Sequence, residues 1–254
     1  MIKKNKKSGT ALITGGAKRI GAELALYLAQ KKYDLVISYH QSHKEVQDLQ
    51  QKIMSKYDVA CDLIRSDLTD IKQIWKLGKE ISKNYKNWNL LINNASIFLP
   101  DKFLDDDKLE KFQSNFALHL QAPMILSQIF GQHCLKHKNN GNIINMIDKN
   151  IVRYETKYFN YILSKKFLAE FTKMAALQLA PQIRVNAIAP GFILPSAQTG
   201  FDRKKIADFI SKIPLQKKGN KASIIKAADY LLNNDFVTGK ILFIDGGANL
   251  NHSN

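Results

Sequence analysis

Short apolar runs alternate with longer amphipathic stretches along the whole chain. Helix-period stretches lie near residues 18–32, 43–56, 70–84, 107–137, 157–180, 203–212 and 222–232. Each lies between consecutive apolar runs, except the last two, which share one connection. The runs themselves predict seven strands, TALIT, DLVISY, CDLIRSD, NLLINNA, GNIINMI, IRVNAIAP and ILFIDGG. Strands that alternate with helices predict an α/β fold, here a doubly wound, seven-stranded parallel sheet with helices on both faces.

The composition is consistent with a single domain. Apolar residues make up 45% of the 254 residues, and no Pro-rich, Ser-rich or single-charge stretch divides the chain. Domains of this fold class reach such a length without a linker. We therefore predict one domain over residues 1–254, with residues 1–8 as a basic N-terminal extension.

The sequence shows neither a recognisable secretion signal nor a recognisable transmembrane segment. The first residues are basic, but the apolar run behind them ends after a few residues at Gly15, which is unlike a secretion signal. Eighteen consecutive apolar residues occur nowhere, so we expect no transmembrane helix. Cys61 and Cys134 fall in a predicted strand and a predicted helix, which favours reduced thiols. We expect a cytoplasmic protein.

A formal net charge of +16 raises the question of nucleic-acid binding. The lysines are scattered through every predicted helix and are accompanied by no recognition motif. We therefore expect a solvated basic surface and no nucleic-acid partner.

The stretch TGGAKRIG, which follows the first predicted strand, is a candidate phosphate-binding turn. Gly15, Gly16 and Gly21 provide the turn, and the helix behind it offers free N–H groups to a pyrophosphate. Lys18 and Arg19 are unusual there, because such turns favour glycine, which tolerates a positive φ. Glycine turns between a strand and a helix are common, so this signal alone is weak.

Further motifs follow in order. Asn93 to Ser96 reads NNAS, Tyr161 to Lys165 reads YILSK, Ala189 to Gly191 reads APG, and Asp245 to Gly247 reads DGG. With the spacing of the glycine turn, these motifs resemble the short-chain dehydrogenase/reductase family over essentially the whole chain. The resemblance implies a Rossmann-type domain, an oxidoreductase activity and a nicotinamide cofactor.

The spacing of Tyr161 and Lys165 has a chemical reason. Residues four apart share one face of a helix, so the Lys165 ammonium can lie near the Tyr161 phenol and stabilise its phenolate. The tyrosine then becomes a usable general acid at neutral pH. The alternative is that both residues merely line an amphipathic helix.

Three positions resemble one branch of the family, the pteridine reductases and the bacterial dihydromonapterin reductases. Asp148 replaces the serine of most members and can relay a proton to a ring nitrogen, although it could also be a solvated loop carboxylate. Arg19 matches an arginine that contacts both the cofactor phosphates and the pterin. Phe98 matches an aromatic residue that stacks on the pterin, although it could instead cap the core.

The end of the second predicted strand, YHQSHK, favours NADPH over NADH. His40, Gln41 and Ser42 carry no carboxylate for a ribose 2′-hydroxyl, and their polar groups can bond a 2′-phosphate. Pteridine reductases carry a cation between the histidine and the serine, and Gln41 departs from that. The other cofactor-binding residues that the resemblance implies are Gly15, Lys18, Arg19, Ile20, Gly21, Asp67, Leu68, Asn94, Ala95, Ser96, Tyr161, Lys165, Pro190, Gly191 and Ile193.

His119 lies where the family has its catalytic asparagine, and dihydromonapterin reductases resemble this chain there. Its imidazole could hold a proton-relay water, or it could be a satisfied core histidine. His133 and His137 have the spacing of a metal pair, but no third ligand is evident and cationic imidazoles also suit a helix C-terminus. We therefore expect no metal.

Together these features predict an NADPH-dependent reductase of a dihydropterin, most simply 7,8-dihydromonapterin, with dihydrofolate as a side substrate. The alternatives are a general carbonyl reductase, such as one for 3-oxoacyl thioesters, and an NADPH-binding sensor or a nucleic-acid-associated protein that kept the fold. The resemblance further implies a homotetramer. The predicted catalytic residues are Asp148, Tyr161, Lys165 and His119, and the predicted substrate-binding residues are Arg19, Ser96, Phe98, Asp148 and Tyr161.

Overall fold

The computed structural model describes residues 7–104, 108–154, 156–193 and 203–251. Seven parallel strands form one sheet, as predicted, and their order in it is β3-β2-β1-β4-β5-β6-β7. Their bounds are β1 Gly9–Thr14, β2 Tyr33–Tyr39, β3 Cys61–Arg65, β4 Trp88–Asn93, β5 Gly141–Met146, β6 Ile183–Pro190 and β7 Ile241–Ile244.

Helices cover both faces of this sheet. One core cluster packs residues of the first, second and last helices against the strands, and the other packs residues of the third, fifth and sixth helices against the opposite face. The α-helices are α1 Arg19–Gln30, α2 His43–Lys56, α3 Ile71–Asn84, α4 Lys108–Phe116, α5 Ala122–His137, α6 Phe159–Leu179, α7 Arg203–Ser211 and α8 Lys221–Asn233. In the described residues, no helix is both long and apolar enough to cross a membrane.

The helix predicted over residues 107–137 is interrupted. A π-helical segment, Ala117–Gln121, separates α4 from α5, and it contains the buried His119. Pro123 gives a physical reason, because it has no N–H to donate to the carbonyl four residues earlier, and that carbonyl belongs to His119.

The strand order reverses between β1 and β4, which opens a crevice at the carboxyl ends of these two strands. The glycine turn follows β1, and the NNAS stretch follows β4. The fold therefore brings two distant motifs together at one end of the sheet.

Candidate active site

The glycine turn and the NNAS stretch are joined by a dense set of hydrogen bonds. The Asn94 side-chain amide donates to the carbonyls of Thr14 and Gly15, both at 3.0 Å. The Thr14 hydroxyl oxygen accepts the N–H groups of Asn94 and Ala95. Gly15 has a φ of 61°, and a Cβ there would lie 2.7 Å from the Ala95 Cα, so the close approach requires glycine. Asn94 and Ala95, which are predicted to bind the cofactor, thus also hold the glycine turn in place.

The two cations of the turn have different surroundings. Arg19 is exposed, begins α1 and has a φ of 56°, a region that residues other than glycine rarely adopt. Burial raises the pKa of Tyr161, and the positive charge of Arg19 opposes that rise, so the guanidinium acts on the predicted catalytic group. The Lys18 ammonium forms an ion pair with Glu45 of α2. The first turn of α1, which contains Ile20 and Gly21, has no acidic residue, and this favours an anionic ligand.

Tyr161 and Asp148 are directly hydrogen-bonded. The Tyr161 hydroxyl donates to Oδ2 of Asp148 at 3.0 Å, while Oδ1 accepts the N–H of Asn150 at 2.8 Å. Asp148 follows β5 and caps a short 3-10 turn, Lys149–Val152. One carboxylate oxygen therefore fixes the loop and the other faces the tyrosine, so Asp148 is not merely a solvated loop carboxylate.

Burial and charge set the protonation of this pair. Burial raises the pKa of Tyr161 well above its usual value, and the Asp148 carboxylate raises it further, while Ser96 and Arg19 oppose the shift. Burial also raises the pKa of Asp148, against the hydrogen bonds from Asn150 and Tyr161. The net shift of Tyr161 is opposite in direction to the phenolate stabilisation that the Tyr–Lys spacing predicts.

Lys165 explains part of that difference. Its ammonium donates to the carbonyl of Met146 at 2.8 Å and lies 5.8 Å from the centre of the Tyr161 ring. The charge therefore faces the ring and a main-chain oxygen and does not bond the hydroxyl. Burial lowers the pKa of Lys165 to about 8, and the Asp148 carboxylate opposes this.

His119 bridges two parts of the site. It is 1% exposed, and Nε2 accepts the N–H of Ile97 at 3.3 Å, so Nε2 carries no proton. Nδ1 then carries the proton and donates to the Ser164 hydroxyl at 2.9 Å, which donates in turn to the Tyr161 carbonyl at 2.7 Å. Burial lowers the pKa of His119 well below its usual value, and the charge of Lys165 adds to this. These contacts favour the satisfied core histidine over a ligand for a relay water.

The residues predicted to bind the substrate surround Tyr161. The Ser96 hydroxyl lies 3.0 Å from Nε2 of His119. The partly buried Phe98 ring stacks on Tyr158, with centroids 4.3 Å apart and planes at 15°, and meets Tyr161 edge-on at 4.8 Å. One face of Phe98 is therefore occupied by Tyr158, a contact that had no signal in the sequence.

The end of β2 carries the predicted ribose site. Nε2 of the exposed His40 lies 3.7 Å from Oδ2 of Asp67, and Ser42 precedes α2 without a side-chain capping bond. The guanidinium of Arg65, which sequence reasoning missed, donates from Nε to the His40 carbonyl at 3.2 Å. Gln41 completes this turn, and Leu68 is buried in the core.

The last predicted cofactor residues follow β6. The Gly191 N–H donates to the Ile244 carbonyl at 2.9 Å, and a Cβ on Gly191 would lie 2.6 Å from the Asp245 Cα. Pro190 ends the strand, while Ile193 is 4% exposed and belongs to the core. The stretch over residues 192–204 matches no motif, and we expect it to be the loop that closes over the substrate; its residues 194 to 202 lie outside the described part of the chain.

His133 and His137 lie close together on α5. His133 is held by the Ser82 hydroxyl and the Lys86 carbonyl, both at 3.2 Å, with His137 packed against its ring. Within residues 7–104, 108–154, 156–193 and 203–251, no three His, Cys, Asp or Glu side chains are grouped to hold a metal. Cys61 and Cys134 are both buried free thiols.

This fold and this set of residues define a class of protein. A family model described as Enoyl-(Acyl carrier protein) reductase matches residues 15–249. The chain belongs to the short-chain dehydrogenase/reductase family, whose members are nicotinamide-dependent oxidoreductases.

Individual relatives are similar over nearly their whole length. The dihydromonapterin reductase of Enterobacter sp. (strain 638) is 28% identical over 241 residues, which cover 94% of this chain and 96% of the relative. The 3-oxoacyl-[acyl-carrier-protein] reductase FabG of Buchnera aphidicola subsp. Baizongia pistaciae (strain Bp) is 31% identical, with 93% and 96% covered. The crystal structure of FolM alternative dihydrofolate reductase 1 from Brucella canis, complexed with NADP, has a TM-score of 0.86 at 31% identity, with 96% and 95% covered.

Proposed function

We propose that this protein is an NADPH-dependent reductase of a dihydropterin ring, with 7,8-dihydromonapterin as its substrate and dihydrofolate as a side substrate. The observation that carries the proposal is the hydrogen bond between Tyr161 and Asp148, at the position where most family members have serine. The dihydromonapterin reductase and FolM relatives support the same substrate class.

The residues present fit a dinucleotide. The open N-terminus of α1, the cations Lys18 and Arg19 and the turn at His40–Ser42 form a donor set suited to phosphates. The Brucella canis relative is complexed with NADP. NADPH, when bound, supplies the hydride.

The protein's own groups then serve the proton and the ring. Asp148 and Tyr161 hold a shared proton at the Tyr161 hydroxyl, from which it can pass to N5 of the pterin as C6 is reduced. Lys165 keeps a positive charge 5.8 Å from the ring centre of that tyrosine. Arg19 and the face of Phe98 that does not stack on Tyr158 orient the substrate.

A second candidate is reduction of a 3-oxoacyl thioester. It is favoured by the FabG relative, which at 31% identity is more similar in sequence than the dihydromonapterin reductase. Asp148 argues against thioester reduction, because the carbonyl of such a substrate needs a hydroxyl to orient it and no additional carboxylate.

The two candidates are separated by NADPH oxidation measured with dihydromonapterin, dihydrobiopterin, dihydrofolate and acetoacetyl thioester. Asp148→Ser introduces the residue common in the family and is expected to lower pterin turnover by roughly a hundredfold or more, the size of a general acid–base contribution. Asn150→Ser, on the same loop, is the control. Turnover of the thioester alone, or equal pterin rates for Asp148→Ser and the wild type, would refute the proposal.

A further inference from the structure

The ends of β2 and β3 meet beside the predicted ribose site. Tyr39 and Arg65 are partners in the parallel register, and the Ser66 N–H donates to the Tyr39 carbonyl at 2.8 Å. The Arg65 side chain reaches back over this edge, where its Nε bonds the His40 carbonyl at 3.2 Å. Arg65, at the end of β3, therefore presents a cation to the His40–Ser42 turn.

Two of the other side chains at this edge already face a carboxylate. Lys18 forms an ion pair with Glu45, and His40 lies 3.7 Å from the Asp67 carboxylate. Gln41, in the middle of the turn, is neutral. A phosphate placed here would meet two carboxylates as well as these partners, so an uncompensated cation is needed for net attraction.

Arg65 is such a cation. The side chain is exposed, and within the described part of the chain its guanidinium makes this one hydrogen bond and no ion pair with a carboxylate. A guanidinium has five N–H donors in a fixed fork, so four remain when Nε is engaged. The bond to His40 also orients the fork, which reduces the entropy lost on binding an anion.

We propose that Arg65 is a specificity-determining residue that binds the 2′-phosphate of NADP(H) and so selects it over NAD(H). The proposal rests on the NADPH dependence proposed above. A 2′-phosphate carries close to two negative charges and accepts bidentate hydrogen bonds from arginine, whereas the 2′-hydroxyl of NAD(H) is neutral. The selectivity that Gln41 cannot supply then comes from the neighbouring strand.

Equilibrium binding tests this directly, without turnover. Titration calorimetry with NADP⁺ and with NAD⁺ is compared for the wild type, Arg65→Gln and Lys52→Gln. Lys52 is an exposed residue on α2, and its replacement by glutamine removes one positive charge, as Arg65→Gln does. Arg65→Gln is expected to weaken NADP⁺ binding about tenfold or more and to leave NAD⁺ binding unchanged, as expected for loss of a charge-assisted bond. Lys52→Gln should change the ratio of the two affinities by less than about twofold.

Three outcomes would overturn the proposal. Equal weakening of NADP⁺ and NAD⁺ would mean that Arg65 only holds the His40 turn, and equal effects of the two variants would mean that overall charge is responsible. A wild type that binds both cofactors equally would leave no selectivity for Arg65 to provide. Dihydropterin turnover, measured separately, distinguishes these outcomes from failure of the proposed reaction.

Discussion

Replacing Arg19 by glycine should stabilise the protein while it weakens the enzyme. Arg19 has a φ of 56°, and the left-handed region costs a residue with a Cβ about 1–2 kcal/mol. Glycine removes that cost but adds about 0.4–1 kcal/mol of unfolded-state entropy. The net gain is about 0.5–1 kcal/mol, which for a chain of this size raises Tm by roughly 1–4 °C.

The same change removes the guanidinium. The charge of Arg19 opposes the rise in the pKa of Tyr161 that burial causes, so the guanidinium acts electrostatically on the catalytic group, while its main chain belongs to the phosphate turn. Loss of a charge-assisted hydrogen bond costs about 1.5–3 kcal/mol, or roughly ten-fold to a hundred-fold in kcat/KM. The KM values for NADPH and for the pterin should rise together, and NADH should be affected less.

Arg19→Ala is the matched control, because it loses the guanidinium but keeps a Cβ at the strained φ. Melting curves with and without NADP⁺ should show a higher Tm for Arg19→Gly than for Arg19→Ala, and a reduced shift by NADP⁺ in both. Equal Tm values for the two variants would refute the strain, and unchanged pterin kinetics with an intact NADPH preference would show that Arg19 is a surface cation.

Four further predictions concern α6, which carries Tyr161, and its surroundings. Because burial lowers the pKa of Lys165 to about 8, kcat/KM is expected to fall above about pH 8. The Asp148 carboxylate opposes this lowering, so Asp148→Asn should move the fall in kcat/KM to lower pH, and a pH–rate profile that is the same in the variant would contradict the prediction. Since the unfolded lysine titrates near about 10.4, this group also makes stability rise with pH between about 8 and 10, measurable by denaturant titration. The side chain in His119→Asn cannot bridge both Ile97 and Ser164. The variant should therefore lower the free energy of unfolding by about 1–3 kcal/mol and should change kcat more than it changes the KM for NADPH. Unchanged stability and an unchanged kcat would contradict the bridging role. Helix α6 exposes the apolar side chains of Phe167, Met174 and Leu177, which suits an interface between subunits. We therefore expect light scattering at micromolar concentration to show a homotetramer, and a monomer would reject this prediction.

The boundaries of the secondary structure could be predicted closely because local chemistry marks them. Helix α2 has the predicted bounds, and Asp70 caps α3 through the N–H of Lys72. The π-helical segment could not be predicted in the same way. One extra residue in a single turn hardly changes a hydrophobic period, although Pro123 is visible in the sequence.

The site could be assembled from motifs because the carboxyl ends of parallel strands meet at one edge. Its electrostatics could not. The acceptor of Lys165 is the main-chain carbonyl of Met146, which has no sequence signature. The pairing of Lys18 with Glu45 and the stacking of Phe98 on Tyr158 depend on the three-dimensional course of the chain.

The aspartate at position 148 shifts the pKa values of the groups around it. Its charge adds to the rise in the pKa of Tyr161 that burial causes and opposes the fall in the pKa of Lys165, whereas the serine of other family members would carry no charge. Tyr161 therefore holds its proton firmly, while burial makes the Asp148 carboxyl itself easier to protonate. A ring C=N nitrogen is more basic than a carbonyl oxygen, so it is the better acceptor for a proton that the Asp148–Tyr161 pair holds firmly. The substitution that sets this protein apart from carbonyl reductases thus favours the substrate class proposed for it.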